Sequence, residues 1–311
     1  MQKISVVLAL AILFLTVWSC QDSTPDNTAN TEQTPTEPVS IEDPTGLKLM
    51  KGSCYSCHNP AAPEGSRLAP LMGEIKATYL EKHGSKEAFV EAIFNFTQTP
   101  NASIGLMTEA IKEFGLMPQM AYPEENIRQI AEYLFDNELK EATSNNNGEK
   151  DYKQLGLKYA LSTKKQLGKN LMGTLKAKGT VEALTFCNTK AIPLTDSMAK
   201  VLNVAIKRVS DKPRSPNNQA NAEELKYIEN YKEQLAAGQD LEVIIVQTEE
   251  GKVHFYYPIS TNAMCMQCHG QANEQIKEET LKQLRKLYPN DKAIGYGENQ
   301  IRGIWSIVMD K

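Results

Sequence analysis

The chain has 311 residues, with 34 lysines and arginines against 38 aspartates and glutamates, so its formal charge is −4. A basic nucleic-acid binder is therefore excluded as the leading class, because such domains carry a clustered positive excess. Hydrophobic residues make up 41% and charged residues 23%, which is ordinary for a soluble globular protein. The length allows two domains, and the six cysteines and four histidines are the residues most informative about chemistry.

Residues 1–19 have the pattern of a signal peptide. A short basic start is followed by an apolar run at 4–17, which is shorter than a membrane span. The run ends at Val17-Trp18-Ser19-Cys20, which resembles a bacterial lipoprotein box. The resemblance implies that the Cys20 thiol is lipidated and that acyl chains hold the protein on a membrane. The alternative is ordinary signal-peptide cleavage, with no role for Cys20.

Two polar segments divide the rest of the chain. Residues 20–43 are acidic, rich in threonine, proline and asparagine, and almost free of large apolar side chains. Such a segment cannot bury enough surface to offset its ordering entropy, which predicts a disordered tether. A second polar stretch at 143–150 predicts a linker. We therefore expect folded domains at 44–142 and 151–311.

Two C-x-x-C-H motifs, at 54–58 and 265–269, carry the clearest chemical signal. At this spacing two thiols add to the vinyl groups of one haem, and the next residue presents an imidazole to the iron. The predicted attachment residues are Cys54, Cys57, Cys265 and Cys268, and the predicted iron ligands are His58 and His269. The chain is thus expected to hold two covalently bound haem c groups.

Zinc binding and dithiol redox chemistry are the alternatives for these motifs. One C-x-x-C-H supplies three zinc ligands in poor tetrahedral geometry, whereas a structural zinc site needs four. A redox C-x-x-C usually belongs to a thioredoxin-like pattern, which this sequence lacks. The signal peptide also favours haem, because haem is attached covalently outside the cytoplasm.

Helical patterns dominate the first folded region, which is expected to be all-α. Its predicted helices span residues 46–57, 86–96, 108–114 and 124–139. The last of them carries apolar residues at helical spacing and acidic residues in its first turn, where they suit the helix dipole.

This region resembles the small class I cytochromes c. Gly46 stands where that family has the glycine that lets its first and last helices cross, and residues 130–134 match its last helix. Pro70 follows His58 by the family's interval, and residues 115–118, Gly-Leu-Met-Pro, match its axial-methionine loop. The resemblance implies that the Pro70 carbonyl accepts the imidazole N–H and that Met117 is the sixth ligand of the first iron.

Other methionines compete with Met117 for this role. Met120 lies three residues further on, and Met72 and Met107 are weaker candidates. Met117 itself has the alternative of packing in a core, which is the usual use of methionine. His83, between a lysine and a glycine, is expected to be a solvated histidine.

The second folded region has a mixed pattern. Its predicted helices span 152–178, 181–192 and 274–287. Its predicted strands span 204–210, 242–248, 252–258 and 301–309. Pro193 is expected to end the second helix, and a Glu-Glu-Gly turn predicts a hairpin between the second and third strands. These elements predict an α+β fold with about four antiparallel strands.

This region resembles a family of extracytoplasmic haem domains of unknown function, found alone or fused to signalling modules. The matching segments are residues 182–187, 207–210, 214–218, 257–259, 265–270 and 293–297. The resemblance implies a PAS-like fold in which the motif histidine and a distant cysteine hold the iron. It also makes Arg208 and Arg214 candidates for contacts with the haem propionates. Their alternative is pairing with acidic residues at the surface.

Cys187 is the expected distant cysteine. It ends the first matching segment, and the other five cysteines are assigned to lipid or to haem attachment. Its alternative role is that of a small buried hydrophobe. His254 is the rival iron ligand, and its place in a strand leaves the direction of its side chain open.

Together these patterns predict a membrane-tethered dihaem cytochrome c that passes electrons to redox partner proteins in the cell envelope, facing the periplasm or the cell exterior. Both irons would carry two axial ligands, which leaves no open site for catalysis, so no enzyme activity is expected. A redox or small-ligand sensor that signals through a partner is the alternative. A dihaem peroxidase is a further alternative, disfavoured because the second region does not match that family.

Overall fold

The computed structural model describes residues 44–139 and 151–311, and the findings below concern those residues. The signal peptide, the tether with Cys20 and the linker lie outside them, so those features stay predictions. The described residues belong to a single compact unit. The boundary between the two expected domains therefore also stays a prediction.

The described part of the first region, residues 44–139, is helical. Its helices are α1 (Thr45–Ser53), α2 (Met72–Lys82), α3 (Lys86–Gln98), α4 (Thr108–Phe114) and α5 (Glu124–Asp136). Four of them confirm predicted helices, although α1 and α5 end earlier than expected. The remaining one, α2, was missed, although Met72, Ile75 and Tyr79 follow helical spacing.

Helices α1 and α5 cross at Gly46. A Cβ atom at this position would lie 2.4 Å from the Cβ of Tyr133 and 2.5 Å from the carbonyl oxygen of Gln129. Only a residue without a side chain permits so close an approach. The core around the crossing contains Met50, Phe89, Ile127, Ile130, Ala131 and Leu134, all of them buried. The crossing implied by the cytochrome resemblance is thus present.

A four-stranded antiparallel sheet forms the centre of the second region. Its strands are β1 (Ala205–Val209), β2 (Ile244–Gln247), β3 (Lys252–Ser260) and β4 (Ile301–Asp310), in the order β1-β4-β3-β2. The helices around it are α6 (Tyr152–Leu202), α7 (Ala222–Ala236), α8 (Ala263–His269) and α9 (Glu278–Leu287). The predicted mixed α+β fold with four antiparallel strands is confirmed.

The predicted break between the helices at 152–178 and 181–192 is present as a kink at Gly179, but the predicted end at Pro193 was wrong. Helix α6 continues through Pro193 to Leu202, and its backbone leaves helical geometry only at Gly179, where φ is 79°. A positive φ of this kind favours glycine. Beyond the proline, Ala199 and Leu202 pack against the core between α6 and the sheet. Burial of these side chains offsets the hydrogen bond that proline cannot make.

Helices α6 and α7 cover opposite faces of the sheet. A Cβ atom on Gly156 of α6 would lie 2.2 Å from the ring of Phe255 in β3, so this ring faces α6. The next residue, Tyr256, packs its ring 4.5 Å from that of Tyr227 in α7. This alternation is the normal behaviour of neighbouring side chains in a strand. No helix in the described part of the chain is long and apolar enough to cross a membrane.

Candidate haem sites

The first C-x-x-C-H motif is a tight turn that follows α1 directly. The backbone N–H groups of Cys57 and His58 both donate to the carbonyl of Cys54, at 3.0 and 2.9 Å. These bonds bring the imidazole next to the two thiols, as attachment of one haem requires. The cysteines of the described residues are not in disulfides.

The imidazole of His58 is held in one orientation. Its Nδ1 lies 2.7 Å from the carbonyl oxygen of Pro70, the hydrogen bond expected from the sequence. Because a carbonyl only accepts, Nδ1 carries the proton and Nε2 keeps its lone pair for a metal. Burial lowers the pKa of His58, which keeps the ring neutral, the form that ligates iron.

An apolar pocket lies beside this motif. Its lining includes Cys54, Cys57, His58 and Met117, which are the four residues assigned to the first haem. The rest of the lining is mostly leucine, isoleucine, phenylalanine and methionine side chains from α2, α3, α4, α5 and the loops between them. An apolar pocket with a few polar or metal-binding groups is what a cofactor of this kind requires. The residues present therefore fit a haem.

The rival methionines line the same pocket, so geometry alone does not select Met117. Met72, Met107 and Met120 are all in the lining. Met72 and Met120 are buried members of the helical core, whereas Met117 is only partly buried and packs against it. His83 ends α2, packs near the ring of Tyr79 and does not line the pocket.

The second motif forms a short helix and repeats the imidazole geometry of the first. Cys265, Cys268 and His269 all lie on α8. The Nδ1 of His269 lies 2.7 Å from the carbonyl oxygen of Ala293, so Nδ1 again donates and Nε2 is again left for a metal. The sequence analysis missed the Ala293 carbonyl, although residues 293–297 belong to a matched segment.

Two arginines lie close to His269. Burial lowers the pKa of this histidine well below its usual value, and the charges of Arg214 and Arg302 lower it further. The Nε of Arg302 is 3.4 Å from Nδ1, and its Nη1 donates to the Ser210 hydroxyl at 2.7 Å. Arg302 was also missed by the sequence analysis. The signal that could have revealed it is a charged residue near the start of a mostly apolar strand.

Arg214 supports the backbone around the second motif. Its Nε donates to Asp291 at 3.0 Å, and its Nη2 donates to the carbonyls of Cys268 and Ala293 at 2.5 and 3.2 Å. Arg214 and Asp291 are each only 10% exposed, so this is a buried ion pair rather than the surface pairing considered above. The guanidinium therefore fixes the two backbone segments that hold His269.

Cys187 lies near the second motif despite the distance in sequence. Burial raises the pKa of its thiol, and the charges of Arg208 and Arg214 lower it. The turns of helix α6 before this cysteine contact the motif directly: the Thr180 hydroxyl donates to the Gln267 Oε1 at 2.9 Å, and Cys268 packs against the cluster that contains Leu184. Helix α6 thus brings the predicted cysteine ligand and the attachment motif into one neighbourhood.

Arg208 leaves one donor without a partner. Its Nε is buried and makes no hydrogen bond within the described residues. The guanidinium lies 5.9 Å from the centre of the Trp305 ring, on the strand that pairs with β1. A buried donor without an acceptor costs free energy, and a carboxylate such as a haem propionate would satisfy it. This site therefore fits a haem as well.

His254 faces away from this neighbourhood. It alternates with Phe255 along β3 and shares the α7 face with Tyr256, whose hydroxyl lies 3.3 Å from its Nδ1. Cys187 lies on α6, which covers the other face. The sheet therefore separates the rival histidine from the helix that carries the predicted cysteine ligand.

A model of the Tll0287-like family matches residues 109–309, which is more than half of the chain. The chain belongs to the Tll0287-like family. Its match covers the second motif, Cys187, Arg208 and Arg214, and it begins within α4. It therefore includes Met117 and extends across the expected boundary between the two regions.

Among solved structures, the Tll0287-like chain is similar to one entitled the crystal structure of the cyanobacterial heme-protein Tll0287. The two sequences are 21% identical, with a TM-score of 0.37. The similarity covers 50% of this chain and 95% of that protein. A comparison with curated proteins gives no match.

Proposed function

We propose that this Tll0287-like protein is a dihaem c-type cytochrome, tethered to a membrane through lipid on Cys20, that transfers electrons in the cell envelope. The observation that carries the proposal is the repeated imidazole geometry. In both C-x-x-C-H motifs the histidine Nδ1 lies 2.7 Å from a backbone carbonyl, which leaves Nε2 for iron. Membership in the Tll0287-like family supports haem binding.

A haem supplies one-electron redox chemistry at its iron. The chain would attach the haem, orient the histidine that binds its iron and exclude water from the site. The motif cysteines would provide two thioether bonds at each site, and the carbonyls of Pro70 and Ala293 hold the histidine rings. Apolar side chains around the first motif keep water from the site, and the arginines around the second supply positive charge.

We propose that the two sites would hold iron through different side chains besides the motif histidines. The Met117 thioether raises a reduction potential, whereas an anionic Cys187 thiolate favours Fe(III) and lowers it. If Met117 and Cys187 bind in this way, neither site would offer an open coordination position to a substrate. We therefore propose electron transfer rather than enzyme turnover, and steady peroxide consumption by the protein would contradict this.

Changing Cys20 to alanine is expected to release a protein with two haems from the membrane fraction. The lipid anchor depends on this thiol, while haem attachment depends on the two distant motifs. The measurement combines membrane fractionation with mass spectrometry of haem-stained protein, made in a host able to attach haem. Wild type serves as the membrane-bound control. A released protein with one haem or none would contradict the dihaem proposal. A variant that stays on the membrane would contradict the lipid anchor at Cys20.

Met117→Leu is expected to remove the methionine-to-iron absorption band in the red and to lower the potential of the first haem. Loss of a thioether ligand removes its preference for the reduced iron. Visible spectroscopy and a redox titration measure both effects. Met120→Leu is the matched control, because Met120 lines the same pocket and the substitution is the same. If Met120→Leu loses the band and Met117→Leu keeps it, the ligand assignment moves to Met120.

A further inference from the structure

We propose that Ser56 and Asn262 hold the two haem-attachment motifs against each other, so that the two haems form one coupled pair and exchange electrons within the chain. This inference rests on the proposed function, since it requires haem at both motifs. It concerns the residues that join the two sites, which neither the family match nor the motifs themselves assign.

A single buried side chain bridges the motifs. Ser56 immediately precedes Cys57 in the first motif, and Asn262 caps the helix that carries the second. The Asn262 Nδ2 donates to the Ser56 Oγ at 3.0 Å. Asn262 also contacts its own motif, with its side-chain Oδ1 3.3 Å from the Cys265 Sγ and its backbone N–H 3.4 Å from the same sulfur.

Lys164 of α6 strengthens the same contact. Its ammonium donates to the carbonyl of Ser56. Lys164 thus holds the backbone of Ser56 beside the side chain that accepts from Asn262.

Further contacts surround this bridge. Asn59, which follows the first motif, donates to the hydroxyl of Tyr257 in β3 at 2.8 Å. Met264, which precedes Cys265, lines the first haem pocket together with Cys54 and His58. A residue next to the second attachment site therefore forms part of the wall of the first. A wall of this kind leaves little protein between the two haems.

The proposed electron exchange between the two haems needs no other reactant. One electron leaves the reduced iron of the second site, which is oxidised, and enters the oxidised iron of the first site, which is reduced. No proton moves and no bond forms or breaks. The direction follows from the proposed ligands, because a thiolate lowers and a thioether raises the potential.

The test compares full-length wild type with Ser56→Ala and Asn262→Ala, each loaded with haem. Circular dichroism in the Soret region measures the coupling. The wild-type spectrum is expected to show a split signal that the summed spectra of two single-haem variants lack. Those variants carry alanine at both cysteines of one motif. Both bridge variants are expected to lose most of the split signal. After rapid photoreduction, their electron exchange should be slower than in wild type, and its rate should still not depend on protein concentration.

Asn170→Ala is the matched control. This asparagine lies on α6, makes one side-chain hydrogen bond to the Gln166 carbonyl and belongs to neither motif. It is expected to keep the wild-type split signal and exchange rate. Far-ultraviolet circular dichroism and haem content establish that each variant is folded and loaded, and Ser56→Ala, which removes a single oxygen atom, serves if Asn262→Ala does not fold.

Failure of this inference is distinguishable from failure of the proposed function. A wild type with two haems whose Soret spectrum equals the sum of the single-haem spectra overturns the coupling and leaves the dihaem cytochrome standing. Bridge variants that retain the full wild-type signal overturn the role of Ser56 and Asn262. A wild type with fewer than two haems overturns the proposed function, and this inference with it.

Discussion

Replacing Cys187 with alanine is expected to raise the reduction potential of the second haem by on the order of 0.2 V, within the roughly 0.8 V over which axial ligands tune haem. Loss of a thiolate removes the ligand that favours Fe(III). The haem should stay covalently attached, thiolate features should leave the visible spectrum, and carbon monoxide should bind the opened iron. A redox titration and carbon monoxide difference spectra measure these effects.

His254→Ala is the control for this prediction. His254 lies on the α7 face of the sheet beside Tyr256, so its removal should leave the potential and the spectrum of the second haem unchanged. The opposite pair of results, with His254→Ala opening the iron and Cys187→Ala without effect, would mean that the second haem has two histidine ligands.

Arg214→Met is expected to destabilise the protein by about 3–5 kcal/mol, because it leaves the buried Asp291 carboxylate without its cation. The substitution also removes donors from the carbonyls of Cys268 and Ala293, which position the second motif. Urea unfolding measures the change in the free energy of unfolding. The Soret band of the second haem should broaden as the histidine loses its fixed orientation.

Two control variants distinguish the effect of the buried ion pair on stability from that of an exposed ion pair. Lys252→Met breaks the exposed ion pair with Asp310 and should cost less than about 1 kcal/mol. The double variant Arg214→Met with Asp291→Leu should recover part of the stability, because it removes both buried charges together. A single Arg214→Met variant as stable as Lys252→Met would contradict the supporting role assigned to Arg214.

Local patterns identified most of the elements of the fold. The helix at 108–114 was predicted at its exact bounds, and all four strands were found, because alternation and turn residues act over a few neighbouring positions. The errors have two causes. Tertiary packing overrode a local rule at Pro193, and a local signal was overlooked at α7. Helix α6 passes through Pro193, and beyond it the partly buried Ala199 and Leu202 pack against the core beside the sheet. Helix α7 was missed although Asn221 and Glu224 form a capping box.

The sequence by itself determined the two C-x-x-C-H motifs, because covalent attachment chemistry lies within five consecutive residues. The tertiary structure decided which groups surround them. Three of these contacts join segments that are distant in the sequence. The separation is 24 positions for His269 and Ala293, 77 for Arg214 and Asp291, and 206 for Ser56 and Asn262. Such pairings depend on how helices and strands pack, and periodicity within one element carries no information about them. For the same reason, only the folded sheet reveals that His254 faces away from Cys187.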